Sequence, residues 1–375
     1  MLAGARIALC HEWTMSVAGS EKVASALADI TKPDAVFTLA ADPEVVAELF
    51  PGCDVWAPSF GLRSGVQRRW TSMLPLLHAL WSSLSLERFD VVVTSSHSCV
   101  NAVRTGRRPY VVCYCHTPMR YAWAWRHELS RVPAVLRPAW PAAAAVLRGV
   151  DRAVARKVGR FIANSAFVSK RILDAYGMPS DIVHPPVDTA FFTPPTEPAT
   201  QPYAMVAGRL VAYKRTDIAV RAARLAGVPL VVAGSGPLLD DLRREAAPDT
   251  VFVERASDRE LRDLYRRARA LIFPGVEDFG ITIVEAMACG TPVVAYARGG
   301  ATETVASGVS GVLVDAQTPD AFAEAIRRLP PRWDRDACRR VAVRFGPETF
   351  RRRITDILTS VEDRMVRRRA YAARG

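Results

Sequence analysis

Short runs rich in Val, Ile and Leu alternate along the whole chain with stretches whose apolar positions recur at helical spacing. That alternation predicts parallel sheets wound with helices. In the first half the expected strands are Arg6 to Cys10, Ala35 to Leu39, Asp90 to Thr94, Tyr110 to Cys115 and Phe161 to Asn164, with helices opening at Ser20 and Ser165. Residues 185 to 202 are too rich in proline for either regular element and mark a domain boundary. Beyond them the pattern restarts, with strands expected at Tyr203 to Ala207, Leu230 to Ala233, Val251 to Val253, Leu271 to Phe273, Pro292 to Ala295 and Val312 to Val314. Helices fit at Asp258 to Arg267 and at Thr282 to Cys289, the latter stopped by Gly290 and Pro292. The expected organisation is two Rossmann-like, doubly wound α/β domains, 1–195 and 196–345, facing each other across a cleft, and a helix at 346–375 that packs back on the first.

Composition narrows the class. A chain of 375 residues, 50% hydrophobic and 23% charged, buries large cores and is neither disordered nor fibrous. No apolar run approaches the ~18 residues of a spanning helix, and the run at Arg6 to Cys10 is too short for a signal peptide. Seven scattered cysteines fit a reducing compartment, so a cytoplasmic protein is expected. The net charge of +12 is concentrated: residues 126–160 contribute +6, 60–88 contribute +3 and 346–375 contribute +4. An anionic partner follows from such surfaces.

Three segments carry candidate chemistry. The loop Val17-Ala18-Gly19-Ser20-Glu21 leads from the first strand into a helix, where free N–H groups and the helix dipole favour a phosphate. Taken alone it reads more readily as an ordinary strand-to-helix turn, since it is not a Gly-x-Gly-x-x-Gly fingerprint. In the second domain, Arg209 and Lys214 leave the first strand together, suited to neutralising a diphosphate or to forming a solvated basic turn. Most specific is Glu277-Asp-Phe279-Gly280-Ile281-Thr282, followed by Glu285 on the next helix. Two carboxylates so spaced reach different parts of one ligand while the amides of Gly280 to Thr282 meet its anionic middle. Cys113, Cys115 and His116 invite a zinc site, but a strand segment without a second ligand pair reads as core, and no metal is expected. Trp70, Met73, Leu74, Leu77, Trp81 and Leu84 follow helical spacing and fit either a core face or, with Arg63, Arg68 and Arg69, a membrane-interface helix.

The pair Glu277 and Glu285, within Glu-Asp-Phe-Gly and Glu-Ala-Met-Ala-Cys-Gly-Thr-Pro, resembles the motif of retaining GT-B glycosyltransferases of family 4. The likeness extends to residues 163–168, 208–215, 233–237 and 298–305 and spans about 90 to 315. Tyr114 to Trp123 is similar to a stretch of bacterial mannosyltransferases that build surface polysaccharides from GDP-mannose. The resemblance implies that Arg209 and Lys214 bind the donor diphosphate, Glu285 the ribose hydroxyls and Glu277 the transferred sugar. It gives Phe279, Gly280, Ile281 and Thr282 as amide donors, Gly19 as a phosphate contact and His116 as a catalytic residue over the sugar. The family's first loop often has two glycines where this chain has Ala18 and Gly19.

The activity so implied is metal-independent transfer of mannose from GDP-mannose, a substrate rather than a cofactor, to a glycan or lipid-linked acceptor. The expected setting is cytoplasmic and peripheral at the inner face of the plasma membrane, where an anionic surface is the partner of residues 60–88 and 126–160. Base selectivity is expected near Glu254 to Asp258. Alternatives are another GT-B enzyme, such as a sugar-nucleotide 2-epimerase or a phosphorylase, or a basic nucleic-acid-binding protein. The cleft motifs speak against the last, so no nucleic acid is expected.

Overall fold

The computed structural model describes residues 4–58, 74–106, 108–125, 132, 134–196 and 203–372. Residues up to His184, together with those from Phe350 onward, form one compact unit, and Pro185–Thr349 form a second.

The first unit is built on a seven-stranded parallel sheet of order β3-β2-β1-β4-β5-β6-β7. Its strands are β1 (Ile7–His11), β2 (Ala35–Phe37), β3 (Val55–Trp56), β4 (Val91–Ser96), β5 (Tyr110–Cys115), β6 (Arg160–Ala163) and β7 (Ser180–Ile182). The central strands β1, β4 and β5 are buried throughout. This follows from helices covering both faces, which leaves no position for polar alternation. On one face Ile7, Leu9, Val91 and Tyr110 pack with Phe350, Ile354, Ile357, Leu358 and Val361 of the helix Pro347–Ala372. On the other, Ala8, Val92 and Val111 pack with Leu77, Trp81 and Phe89.

The second unit carries a six-stranded parallel sheet of order β10-β9-β8-β11-β12-β13. These strands are β8 (Ala204–Ala207), β9 (Leu230–Ala233), β10 (Val251–Val253), β11 (Ala270–Phe273), β12 (Val293–Tyr296) and β13 (Gly311–Val314). Val187 and Phe192, from the proline-rich segment, lie in its core with Met205, Leu271 and Ile283. In each sheet the strand order reverses once, between β1 and β4 and between β8 and β11. Parallel sheets of this kind bind ligands outside the carboxyl ends of the strands at such switch points.

The differences from the sequence expectation are local. The strand β1 ends on His11 rather than Cys10, and the first helix opens at Gly19 rather than Ser20. The edge strands β3 and β7, two and three residues long, lack the apolar runs that announce the others. Leu77 and Trp81 are core residues, so this part of the helix Leu74–Ser83 is no membrane-interface face; Arg63, Arg68, Arg69, Trp70 and Met73 lie outside the described residues. No cysteine is in a disulfide, and no helix among the described residues is long and apolar enough to cross a membrane.

Trp81 is 0% exposed, so its removal leaves a large cavity. Trp81→Ala is expected to cost about 3–5 kcal/mol, read from urea unfolding. An unfolding midpoint equal to the wild type would contradict its place in the core.

Candidate active site

In the second unit, chemistry gathers in the loops that leave β8 and β11. After β8 the chain forms a single 3₁₀ turn, Ala212–Lys214, and Arg215 adopts φ 53°. Arg215 is held there by Asp217, its Nε and Nη2 donating to the carboxylate at 3.0 and 3.1 Å. The turn brings Lys214 Nζ to 2.8 Å from Glu277 Oε1, with both side chains about four-fifths buried (17% and 20% exposed). Gly275 makes the approach possible: a Cβ there would lie 2.8 Å from Lys214 Cα. Arg209 is exposed on the same loop.

Glu277 is followed by Gly280, whose φ of 90° turns the chain into the helix Ile281–Ala288. A side chain at Gly280 would be strained in that backbone and would sit 2.9 Å from Ile283 Cδ1. No side chain caps this helix start, and the buried Thr282 Oγ1 has no hydrogen-bond partner among the described residues. Glu285 is buried one turn on, where its Oε2 accepts from Tyr265 Oη at 3.2 Å. The Phe279 ring is not at the surface of this group but packs edge-on against Phe345 at 5.5 Å, so only its backbone is available to a ligand. Behind the loop, the Gly300 amide donates to Glu277 O at 2.9 Å. Glu254, near the expected base-selecting segment, is paired with Arg243 Nη2 at 2.7 Å.

In the first unit the three central strands each end in a histidine: His11 closes β1, His97 follows β4 and His116 follows β5. The Ser95 hydroxyl lies between two of them, 3.0 Å from His11 Nδ1 and 2.8 Å from His116 Nε2. The His97 ring stands edge-on to Trp13 at 4.5 Å and lies 6.1 Å from the His116 ring. Beneath them the buried Glu12 accepts the backbone N–H groups of Ser98 and Val100 on Oε1, at 2.8 and 3.0 Å, tying the end of β1 to the loop that carries His97. Gly19 opens the helix Gly19–Thr31, which likewise has no side-chain cap. Cys113 and Cys115 are core residues, and Asn101 Nδ2 donates to Cys113 Sγ at 3.3 Å.

Sequence reading singles out His116 alone from this group. It does not single out His11, Glu12, Ser95 or His97, although His11 directly follows the expected strand Arg6 to Cys10 and His97 lies three residues beyond the one at Asp90 to Thr94. Tyr265, whose pairing with Glu285 depends on the packing of two helices, left no such trace.

Burial sets the charge states here. It lowers His11 to about 4, partly opposed by the Ser95 backbone, and it lowers His116 to about 3 with help from His11 and Arg120. His97 is pushed well below its ordinary value by burial and then by its two histidine neighbours and Arg120. All three imidazoles are therefore neutral at neutral pH. Burial raises Glu12 to about 7 in spite of the backbone N–H groups that favour its charged form.

Residues 35–191 match the family model described as Glycosyltransferase Family 4, and residues 188–336 match Glycosyl transferases group 1. Among curated proteins, the chain is 34% identical over 227 residues to a D-inositol 3-phosphate glycosyltransferase of Nocardiopsis dassonvillei, covering 52% of this chain and 53% of that one. It is 34% identical over 232 residues to the enzyme of that name from Mycolicibacterium smegmatis, covering 54% and 52%. The chain thus spans about half the length of these relatives. Among solved structures, it is similar to Anabaena HepE in complex with UDP and glucose, with a TM-score of 0.69 and 18% identity over 95% of this chain and 100% of that one. Sucrose-phosphate synthase from Thermosynechococcus elongatus gives a TM-score of 0.71 and 19% identity over 96% and 99%.

Glu12 holds its proton more tightly in the folded chain, at about 7, than at its ordinary 4.5. Its contribution to stability is therefore full below pH 4.5 and is lost as the pH rises through 7, by about 3 kcal/mol. Glu12→Gln keeps an oxygen for Ser98 and Val100 but does not ionise. Urea unfolding at several pH values is expected to show this variant gaining on the wild type between pH 4.5 and 7.5. A difference that does not change with pH would contradict the buried, titrating carboxylate.

Proposed function

We propose that this chain, which has the GT-B fold of the group 1 and family 4 glycosyltransferases, moves a hexose from a nucleoside diphosphate sugar to an acceptor hydroxyl with retention of the α anomer. The observation that supports this most directly is the Lys214–Glu277 pair, 2.8 Å long, just ahead of the uncapped helix start at Gly280 to Thr282. A cation, a carboxylate and the N–H groups of a helix start, brought together by two neighbouring loops, suit a ligand with an anionic middle and a hydroxylated end.

In this reading the donor diphosphate takes Lys214 as its counter-charge, together with Arg209 and the amides and hydroxyl at Gly280 to Thr282. Glu277, released from the ammonium group, accepts hydrogen bonds from the sugar hydroxyls, and Glu285, oriented by Tyr265, accepts them from the ribose. As the bond from the anomeric carbon to the phosphate oxygen lengthens, negative charge grows on the leaving group. Cations and helix amides fixed in advance stabilise that charge without having to reorganise. The departing phosphate oxygen then takes the proton of the incoming hydroxyl on the same face of the sugar. Gly19 and His116 keep the phosphate and sugar roles that the resemblance implies, and no step is assigned to a metal.

Mannose from GDP-mannose is our first donor reading, on the likeness of Tyr114 to Trp123 to mannosyltransferase segments. A UDP-linked hexose is the second, favoured by the UDP and glucose bound in HepE. The acceptor reading is a membrane-presented glycan or lipid. It is supported by the helix Trp140–Ala155, which exposes Ala142, Ala145, Val146 and Gly149 along one stripe and is followed by the exposed Arg156 and Lys157. Val146 is 68% exposed and the nearby Val135 is 83% exposed. An apolar stripe beside basic side chains suits an anionic membrane interface. The relatives' name points instead to a phosphorylated inositol, a soluble acceptor to include in assays.

Two tests follow. Lys214→Ala and Glu277→Gln are each expected to reduce kcat/KM for sugar transfer by on the order of 10² while still unfolding cooperatively, at a lower melting temperature because a largely buried partner loses its counterpart. Wild-type activity in either folded variant would contradict the donor site. Co-sedimentation with anionic liposomes is expected for the wild type at low salt and to be lost in a triple Val146→Asp, Arg156→Glu, Lys157→Glu variant. Equal pelleting of both proteins, or of neither, would overturn the docking surface alone.

A further inference from the structure

The Ser95 hydroxyl has a single proton, yet it lies within hydrogen-bond distance of two imidazole nitrogens, His11 Nδ1 at 3.0 Å and His116 Nε2 at 2.8 Å. Parallel register fixes this arrangement, since His11 pairs with Ser95 across β1 and β4 and Ser95 pairs with Tyr114 across β4 and β5, two residues before His116. With both rings neutral, the hydroxyl donates to one nitrogen and accepts from the other. The two tautomers are therefore coupled, and only two states of the chain of three groups satisfy both hydrogen bonds.

The far side of His11 chooses between these states. Its Nε2 is buried and has no partner among the described residues. In one state that atom is an N–H donor with nothing to receive it; in the other it is a bare lone pair. Buried orphan N–H groups are rarer and more costly than under-used acceptors. The favoured state therefore runs from His11 Nδ1–H to Ser95 Oγ and from the Ser95 O–H to His116 Nε2. The proton of His116 is then on Nδ1, an atom with no hydrogen bond among the described residues.

We propose that His11 and Ser95 are positioning residues that hold His116 as the Nδ1–H tautomer, so that it presents a hydrogen-bond donor to a substrate oxygen. The part of this that concerns transfer rests on the function proposed above; the tautomer itself does not. A neutral donor suits an oxygen of the transferred sugar or of the leaving phosphate, whereas the other tautomer would present a lone pair to it. A lone pair facing an anionic oxygen is repelled. A catalytic histidine held in the wrong tautomer loses activity while its geometry stays intact.

The full chain, labelled with ¹⁵N-histidine, reports the tautomer through the ring nitrogen shifts, and a His116→Gln sample identifies the signal. We expect His116 to show a protonated Nδ1 and an unprotonated Nε2. In Ser95→Ala that bias is expected to weaken and kcat to fall about tenfold or more, with KM little changed, and Ser95→Thr, which keeps the hydroxyl, to restore both. A His116 protonated on Nε2 in the wild type, or a tautomer unchanged in Ser95→Ala, would overturn the proposal. The expected tautomer in a chain that transfers no sugar would support the relay and refute the function above.

Discussion

All strands of each sheet run parallel, and the rest of the molecule depends on that constraint. Parallel strands send every carboxyl end to the same edge of a sheet, so the loops that follow them meet there whatever their separation in sequence. In the first sheet this edge collects His11, Glu12, His97 and His116, and in the second Lys214 and Glu277. The same constraint requires helices on both faces, so the strands are apolar throughout and the polar residues at their ends are partly or fully buried. Burial then governs their chemistry, keeping three histidines neutral and making the proton on Glu12 hard to remove.

The Lys214–Glu277 pair illustrates how a buried charge is made tolerable. Each side chain loses most of its hydration, a cost that the partner offsets only if the geometry is close. The approach of the two loops past Gly275 supplies that geometry at 2.8 Å. In the function proposed above, a diphosphate would take the place of the carboxylate at the Lys214 ammonium group, and the sugar hydroxyls would then satisfy Glu277. The Glu285–Tyr265 contact acts differently: a buried hydroxyl donates to a buried carboxylate.

Much of this was legible in the sequence where a physical signal is local. Runs such as Val-Val-Val at 91 to 93 announce buried strands, and the Glu277–Gly280–Glu285 spacing marks a loop running into a helix. Short edge strands such as Ser180–Ile182 give no such signal, because partner strands rather than apolar content define them. Trp81 shows a second limit: a helix facing a core and a helix facing a membrane share one periodicity, and only the neighbours Leu77 and Phe89 separate them. The Phe279 ring packs against Phe345 in the core, which leaves the expected role of Phe279 to its backbone. The Ser95 bridge and the Lys214–Glu277 pair were not readable at all, since each joins loops that only the sheet brings together.

Ligand-dependent melting of the full chain tests whether the second unit's loops recognise a nucleoside diphosphate sugar, the function proposed above. A ligand that binds only the folded state raises the melting temperature by an amount that grows with the logarithm of its concentration above Kd. Across a panel of GDP, UDP and ADP sugars, the account predicts that one base raises the melting temperature and that Glu285→Ala abolishes the rise. No rise with any donor at millimolar concentration, or an undiminished rise in Glu285→Ala, would contradict it.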